Sequence, residues 1–168
     1  MMEATQEILL QEFDFLPLKS NSNIREGNAL RMDWGEVLPA ERCSYIIGNP
    51  PFLGARNQSK EQKEDLVEVF HGAKNCGNVD YVAGWYMKAA EYVGSFPVRS
   101  AFVSTNSICQ GEQVANIWKP ISDLGVHIDF AHDTFRWANE ASDQAHVFVV
   151  IVGFSKLDGD KRLFHHNG

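Results

Sequence analysis

A chain of 168 residues with 44% hydrophobic and 22% charged side chains matches a single globular domain with its own core, which excludes a disordered or fibrous polymer. No apolar run reaches the ~18 residues that a membrane-spanning helix needs. A net charge of −7 argues against a free-standing nucleic-acid binder, whose surface is usually basic so that it displaces counterions from phosphates. Any grip on DNA or RNA is therefore local, or comes from another part of a larger protein. The opening MMEATQEILLQEF lacks the basic-then-apolar order of a secretory signal, so a soluble, cytoplasmic protein is expected. Cys43, Cys76 and Cys109 are an odd number without a C-x-x-C, which indicates neither a disulfide framework nor a zinc site.

In chain order, residues 1–23 read either as a short helix or as a strand stopping at Pro17, ahead of the polar spacer KSNSN. IREGNALRMDW alternates enough to predict a strand ending near Asp33, and CSYIIGN is a short apolar run of the kind buried on both faces of a parallel sheet. Ser59 followed by Gln62 forms a capping-box pattern before KEQKEDLVEVFHG, a predicted helix with Leu66, Val69 and Phe70 on one face and Gly72 as its stop. Asp80 is placed to cap a second helix, YVAGWYMKAAEYVG, whose Val82, Trp85, Ala89, Tyr92 and Val93 recur at helical spacing.

RSAFVSTN reads as the next strand. EQVANIWKPISDLG puts Val114, Ile117, Trp118, Ile121 and Leu124 on one stripe, with Pro120 expected to kink or split the helix. VHIDFAHDTF and AHVFVVIVGFSK are two long strands joined by the polar RWANEASDQ, without an intervening helix. Strands alternating with helices predict a mostly parallel α/β sheet, and the closing pair predicts an antiparallel element.

In open α/β sheets, ligands sit beyond the carboxyl ends of the strands. Three predicted strands end in polar or special residues: at Asp33, at Asn49, and at Ser104, Thr105 and Asn106. The most constrained is the second, GNPPF. Pro50 and Pro51 each fix a backbone φ angle, and Pro51 also pushes Pro50 out of the helical region, so the corner has little freedom left to lose on binding. Lacking N–H groups, the prolines present carbonyls without neighbouring donors, and Asn49 adds a side-chain oxygen. Two fixed acceptors suit an –NH2 group, and Phe52 offers a flat face for a planar base, a contact worth ~1–3 kcal/mol per base in nucleic-acid binders.

At these residues the sequence resembles the S-adenosylmethionine-dependent amino methyltransferases with an [N/D]-P-P-[Y/F] motif, most closely the N6-adenine DNA methyltransferases. GNALRMDW, DYVAGWYMKAAEYV, AFVSTNSICQGEQ and FAHDTFRWANEASDQAHVFVVIVGFSK extend the similarity to the large bifunctional restriction-modification enzymes of type IIG-like kind, over about residues 24–156. The resemblance implies a Rossmann-like class I methyltransferase sheet, with S-adenosylmethionine as cofactor, DNA as partner through a full-length parent, and no metal. It implies that Asn49 and Pro50 accept hydrogen bonds from the amino group of a flipped-out adenine, that Pro51 stiffens the corner, that Phe52 stacks on the base, and that Asp33 and Trp34 meet the cofactor's adenosine.

Against the family pattern, the F-x-G-x-G loop and the acid after the second strand are absent, and residues 1–23 contain no glycine. The expectation is an incomplete sheet: an N-terminal segment at 1–23, a partial catalytic domain at 24–156 and a tail at 157–168. As an isolated chain it is expected not to methylate DNA, and the SYIIGN strand is expected to lack a neighbour, filled either by the N-terminal segment or by a second copy of the chain. Two rival functions stand beside this one: methyl transfer to a protein glutamine or an RNA amino group, and a non-catalytic interaction module. Asp33 is weighed evenly between a cofactor role and a turn cap, and Ser104 and Asn106 read as turn residues. Arg56, Lys60 and Lys63 near the corner suit phosphates or a solvated helix face equally. His71, His127, His132 and His146 show no ligand spacing, and His165 and His166 are expected to be disordered.

Overall fold

A computed structural model describes residues 24–137 and 147–166. The N-terminal helix or strand expected within 1–23, most of the RWANEASDQ turn and His146 lie outside the described residues.

The sheet has five strands, β1 (Tyr45–Gly48), β2 (Arg99–Thr105), β3 (His127–Trp137), β4 (Val147–Ser155) and β5 (Arg162–Phe164), in the order β1-β2-β4-β3-β5. The β1/β2 and β3/β5 pairs are parallel, and β2/β4 and β3/β4 are antiparallel. The sheet is therefore evenly mixed rather than mostly parallel, because β4 returns directly from β3 and inserts between β2 and β3. The tail contributes more than expected: β5 pairs with β3, His165 Nδ1 bonds Asp133 Oδ2 at 2.7 Å, and His166 lies 3.0 Å from His132 Nδ1.

Three α-helices are described: α1 (Lys60–Val69), α2 (Ala83–Tyr92) and α3 (Gly111–Asp123). At the start of α1, Ser59 Oγ accepts from Gln62 N at 3.2 Å while Ser59 N donates to Gln62 Oε1 at 2.9 Å, so two otherwise orphaned donors are satisfied reciprocally. The helix ends at Val69, and the left-handed residue after its cap is His71 (φ 51°), whose N–H bonds the Glu68 carbonyl at 3.0 Å; Gly72, expected as the stop, follows at φ 70° with its N–H on the Val67 carbonyl at 2.8 Å. α3 runs through Pro120 without splitting, and its buried stripe narrows to Ile117 and Ile121, leaving Val114 and Leu124 exposed.

Cross-strand register puts Ile46, Ser100, Phe102, Ser104, Val150, Val152 and Phe154 on one face. There Tyr86 of α2 fills the centre of the core, stacked on Phe154 at 5.2 Å and edge-on to Phe102 and Trp118. Its hydroxyl shares a 2.7 Å hydrogen bond with the buried Ser104 Oγ, which gives Ser104 a structural role. Burial pushes the Tyr86 phenol well above its ordinary range.

Two expectations fail in the N-terminal half. Residues 24–33 form no strand: the Asn28 side chain accepts from Leu30 N and its carbonyl from Arg31 N, folding the segment into a turn that drops Leu30 into the core. β1 is not buried on both faces either. Among the described residues its one strand neighbour is β2, and Tyr45 and Ile47 on its outer face are 70% and 80% exposed.

The turn at residues 28–32 is tied down by Asp65 of α1. That carboxylate accepts from Asn28 Nδ2 at 2.8 Å, from Arg31 Nε at 2.5 Å and from the Tyr81 hydroxyl at 2.7 Å. Burial alone would raise the Asp65 carboxyl, but the hydrogen bonds from Tyr81, Arg31 and Asn28 outweigh it and hold it below the usual carboxylate value. Tyr81 is pushed up to about 12 by burial and by the adjoining carboxylate.

Candidate active site

β1 delivers the chain to the corner at residues 49–52, beside the carboxyl end of its parallel neighbour β2. Asn49, Pro50 and Pro51 line an open cleft of about 430 Å³, walled by Trp34, Trp85 and Phe102. Asn49 and Pro51 are exposed, and Pro50 is buried. Phe52 is half-buried and packs against the core. Three of the four expected corner residues thus share one cleft; Phe52 is not among the residues lining it.

Asp33 is exposed and its Oδ1 accepts from Gly35 N at 2.8 Å, capping a 3-10 turn over Trp34–Glu36. Trp34 is held by its indole N–H donating to the Ala29 carbonyl at 2.8 Å and by an edge-on contact with Tyr92. The Trp34 ring forms a wall of the corner cleft and also of a neighbouring apolar cleft of about 650 Å³ that includes Met32, Leu38, Ile46 and Tyr92. The Tyr92 hydroxyl donates to the Leu38 carbonyl, joining two residues that line that second cleft.

Behind the corner lies a network that sequence reading missed. Leu53, the residue after Phe52, donates its N–H to Asp80 Oδ1 at 3.1 Å, and its carbonyl accepts from Tyr81 N and from Gln58 Nε2, both at 2.9 Å. Gln58 Nε2 also donates to the Val79 carbonyl at 2.9 Å. Asp80 is not the cap of α2, whose N-cap is Val82 without a side-chain hydrogen bond; Asp80 stands two residues earlier and accepts the Val82 N–H at 3.2 Å, while its other oxygen accepts from Thr105 Oγ1 at 3.0 Å and Ser107 Oγ at 3.3 Å at the end of β2. The Asp80 N–H in turn donates to Gln113 Oε1 of α3. The only advance signal was the placement of an acid before α2, which is equally the signal of an ordinary cap.

Of the nearby cations, Lys60 pairs with Glu64 at 3.7 Å across one helical turn, and Arg56 and Lys63 are exposed. Among the described residues no three His, Cys, Asp or Glu side chains are grouped to hold a metal, and no helix is long and apolar enough to cross a membrane.

Residues 1–165 match the family described as "MmeI, DNA-methyltransferase domain". The chain is 45% identical over 145 residues to DNA methyltransferase A of Bacillus subtilis (strain 168), covering 85% of this chain and 16% of that protein. It is also similar to a solved structure, the Type IIL restriction-modification enzyme MmeI in complex with DNA, with a TM-score of 0.86 and 45% identity over 98% of this chain and 22% of that one. The chain thus spans about a fifth of the length of these relatives. With the family match running across nearly all of its length, the chain belongs to the MmeI DNA-methyltransferase domain family.

Proposed function

We propose that the protein carrying this chain transfers a methyl group to the exocyclic N6 of an adenine flipped out of duplex DNA. The observation that supports this most directly is the opening of Asn49, Pro50 and Pro51 onto one cleft at the end of β1. An enzyme that acts on a base must take it out of the stack, and a corner of fixed acceptors then meets its amino group. Asn49 Oδ1 and the Pro50 carbonyl accept the two N6 hydrogens. This favours a pyramidal nitrogen whose lone pair is no longer delocalised into the ring. Pro51 holds the acceptors in place, and Phe52, half-buried at the end of the corner, supplies the aromatic face for the base. The work of these residues is positioning and electrostatics.

The family implies S-adenosylmethionine, which when bound supplies a sulfonium methyl. The residues present fit its adenosine end: an apolar cleft of about 650 Å³ adjoins the corner and shares the wall made by Trp34. Trp34 would face the adenine ring and Asp33 would lie at the cleft's rim. In the same reading, residues 24–156 are the later part of a Rossmann-like class I methyltransferase sheet, and the free edge of β1 takes a further strand or a second copy of the chain. Family membership favours DNA over a protein glutamine or RNA as the acceptor.

The test is transfer of tritiated methyl from S-adenosylmethionine to adenine-containing duplexes by the protein carrying this chain, with nucleoside mass spectrometry to locate the methyl group. Asn49→Ala is expected to lower the rate by about 100-fold or more, as loss of one preorganised polar contact to a reacting group does. A methyl group found on cytosine, or an Asn49→Ala protein as active as wild type, would overturn the reading.

A further inference from the structure

We propose that Asp80 and Gln58 are positioning residues that fix the corner at residues 49–52 from behind, through the backbone of Leu53; this rests on the reading of that corner as the base-holding site. Consecutive prolines make the corner stiff inside, but they also remove two backbone donors that would otherwise tie it to its surroundings. A stiff segment can still swing as a unit about its ends. On the β1 side the end is held by the parallel ladder to β2. On the far side it is held at Leu53, whose N–H and carbonyl are taken by Asp80, Gln58 and the Tyr81 N–H.

The arrangement exceeds what a helix cap or a space-filling side chain requires. A local turn at Val82 needs one oxygen, whereas Asp80 is 3% exposed and uses both oxygens to join the exit of β1 to the exit of β2. The end of β1 lines the cleft, and β2 contributes Phe102 to its wall. Gln58 is also buried, and its Nε2 reaches two carbonyls while its Oε1 has no hydrogen-bond partner. Burying an unpaired amide oxygen is unfavourable, and the forked NH2 that it accompanies is what an apolar residue of similar size would lack.

The discriminating variant is Asp80→Ser. A serine can still accept from Val82 N but is too short to reach Leu53 and Thr105 together, while Asp80→Asn keeps both the length and one acceptor. In the protein carrying this chain, kcat per folded molecule, measured well below the melting temperature, is expected to fall about 100-fold in Asp80→Ser and about 10-fold in Gln58→Met, with KM for DNA within about twofold, because a displacement of about 1 Å is enough for such losses. Asp80→Asn is expected to recover most of the lost rate. Amide exchange at Leu53 is expected to quicken by about 10-fold or more in Asp80→Ser, with the sheet amides unchanged.

Wild-type kcat in Asp80→Ser alongside lost Leu53 protection would overturn the proposal. So would unchanged Leu53 protection. If wild type methylates no adenine, or Asn49→Ala stays active, the functional reading fails by itself, and the clamp still stands or falls on the Leu53 amide.

Discussion

Gly153 of β4 lies directly beneath the ring of Phe130 on β3, its register partner, so closely that a Cβ at position 153 would sit 2.1 Å from Phe130 Cε1. The glycine lets an aromatic ring cross the sheet face where any other residue would hold it off. Gly153→Ala is therefore expected to lower stability by about 1–3 kcal/mol through overpacking, the loss being limited because Phe130 is only half-buried and can tilt. Denaturant titration measures it, and adding Phe130→Leu should recover part of the loss, a non-additivity expected of residues in contact.

The Asp65 network predicts acid sensitivity with a definite sign. A carboxyl whose folded pKa lies below its unfolded value of about 3.9 contributes stability that is present above that value and lost as pH falls through the lower folded one. Asp133 is also lowered, first by the His166 backbone N–H and then by His165, so the wild-type acid limb contains both groups. Unfolding curves of wild type and Asp65→Asn between pH 5 and pH 2 isolate the first contribution: the variant should be less stable near neutrality, and the gap should narrow as pH falls below about 4. A gap that stays constant through that range would show that Asp65 is not the titrating group.

Ser59 and Gln62 close the N-terminus of α1 reciprocally. Ser59→Ala is expected to cost about 1 kcal/mol, and Ser59→Gly a few tenths, measured by thermal melting. Since Gln58, next in sequence, reaches behind the corner, a frayed α1 should also loosen Leu53, which amide exchange would detect.

Ile47 is 80% exposed on the outer face of β1. Ile47→Lys is expected to leave stability within about 0.5 kcal/mol, the usual range for an exposed site. It should also lower any self-association seen by light scattering at high concentration, because a charged edge resists strand pairing. A clear fall in melting temperature would instead show that another part of the protein carrying this chain covers that face.

Much of this was readable in the sequence where the physics is local. The capping box at Ser59 and Gln62, the strand before Thr105 and the closing antiparallel pair each follow from spacing and residue type over a few positions. The fixed corner at Asn49, Pro50, Pro51 and Phe52 was equally legible, because proline imposes its backbone geometry whatever surrounds it.

Tertiary structure alone decided the rest. IREGNALRMDW has the alternation of a strand, yet the Asn28 side chain and the distant Asp65 carboxylate fold it into a turn. Asp80 looked like one more helix cap until folding brought Leu53, Thr105 and Ser107 within reach of its two oxygens. Local pattern can set which conformations a segment prefers, but most partners of these two buried carboxylates come from residues 16 to 37 positions away. Their arrival depends on the whole sheet being assembled.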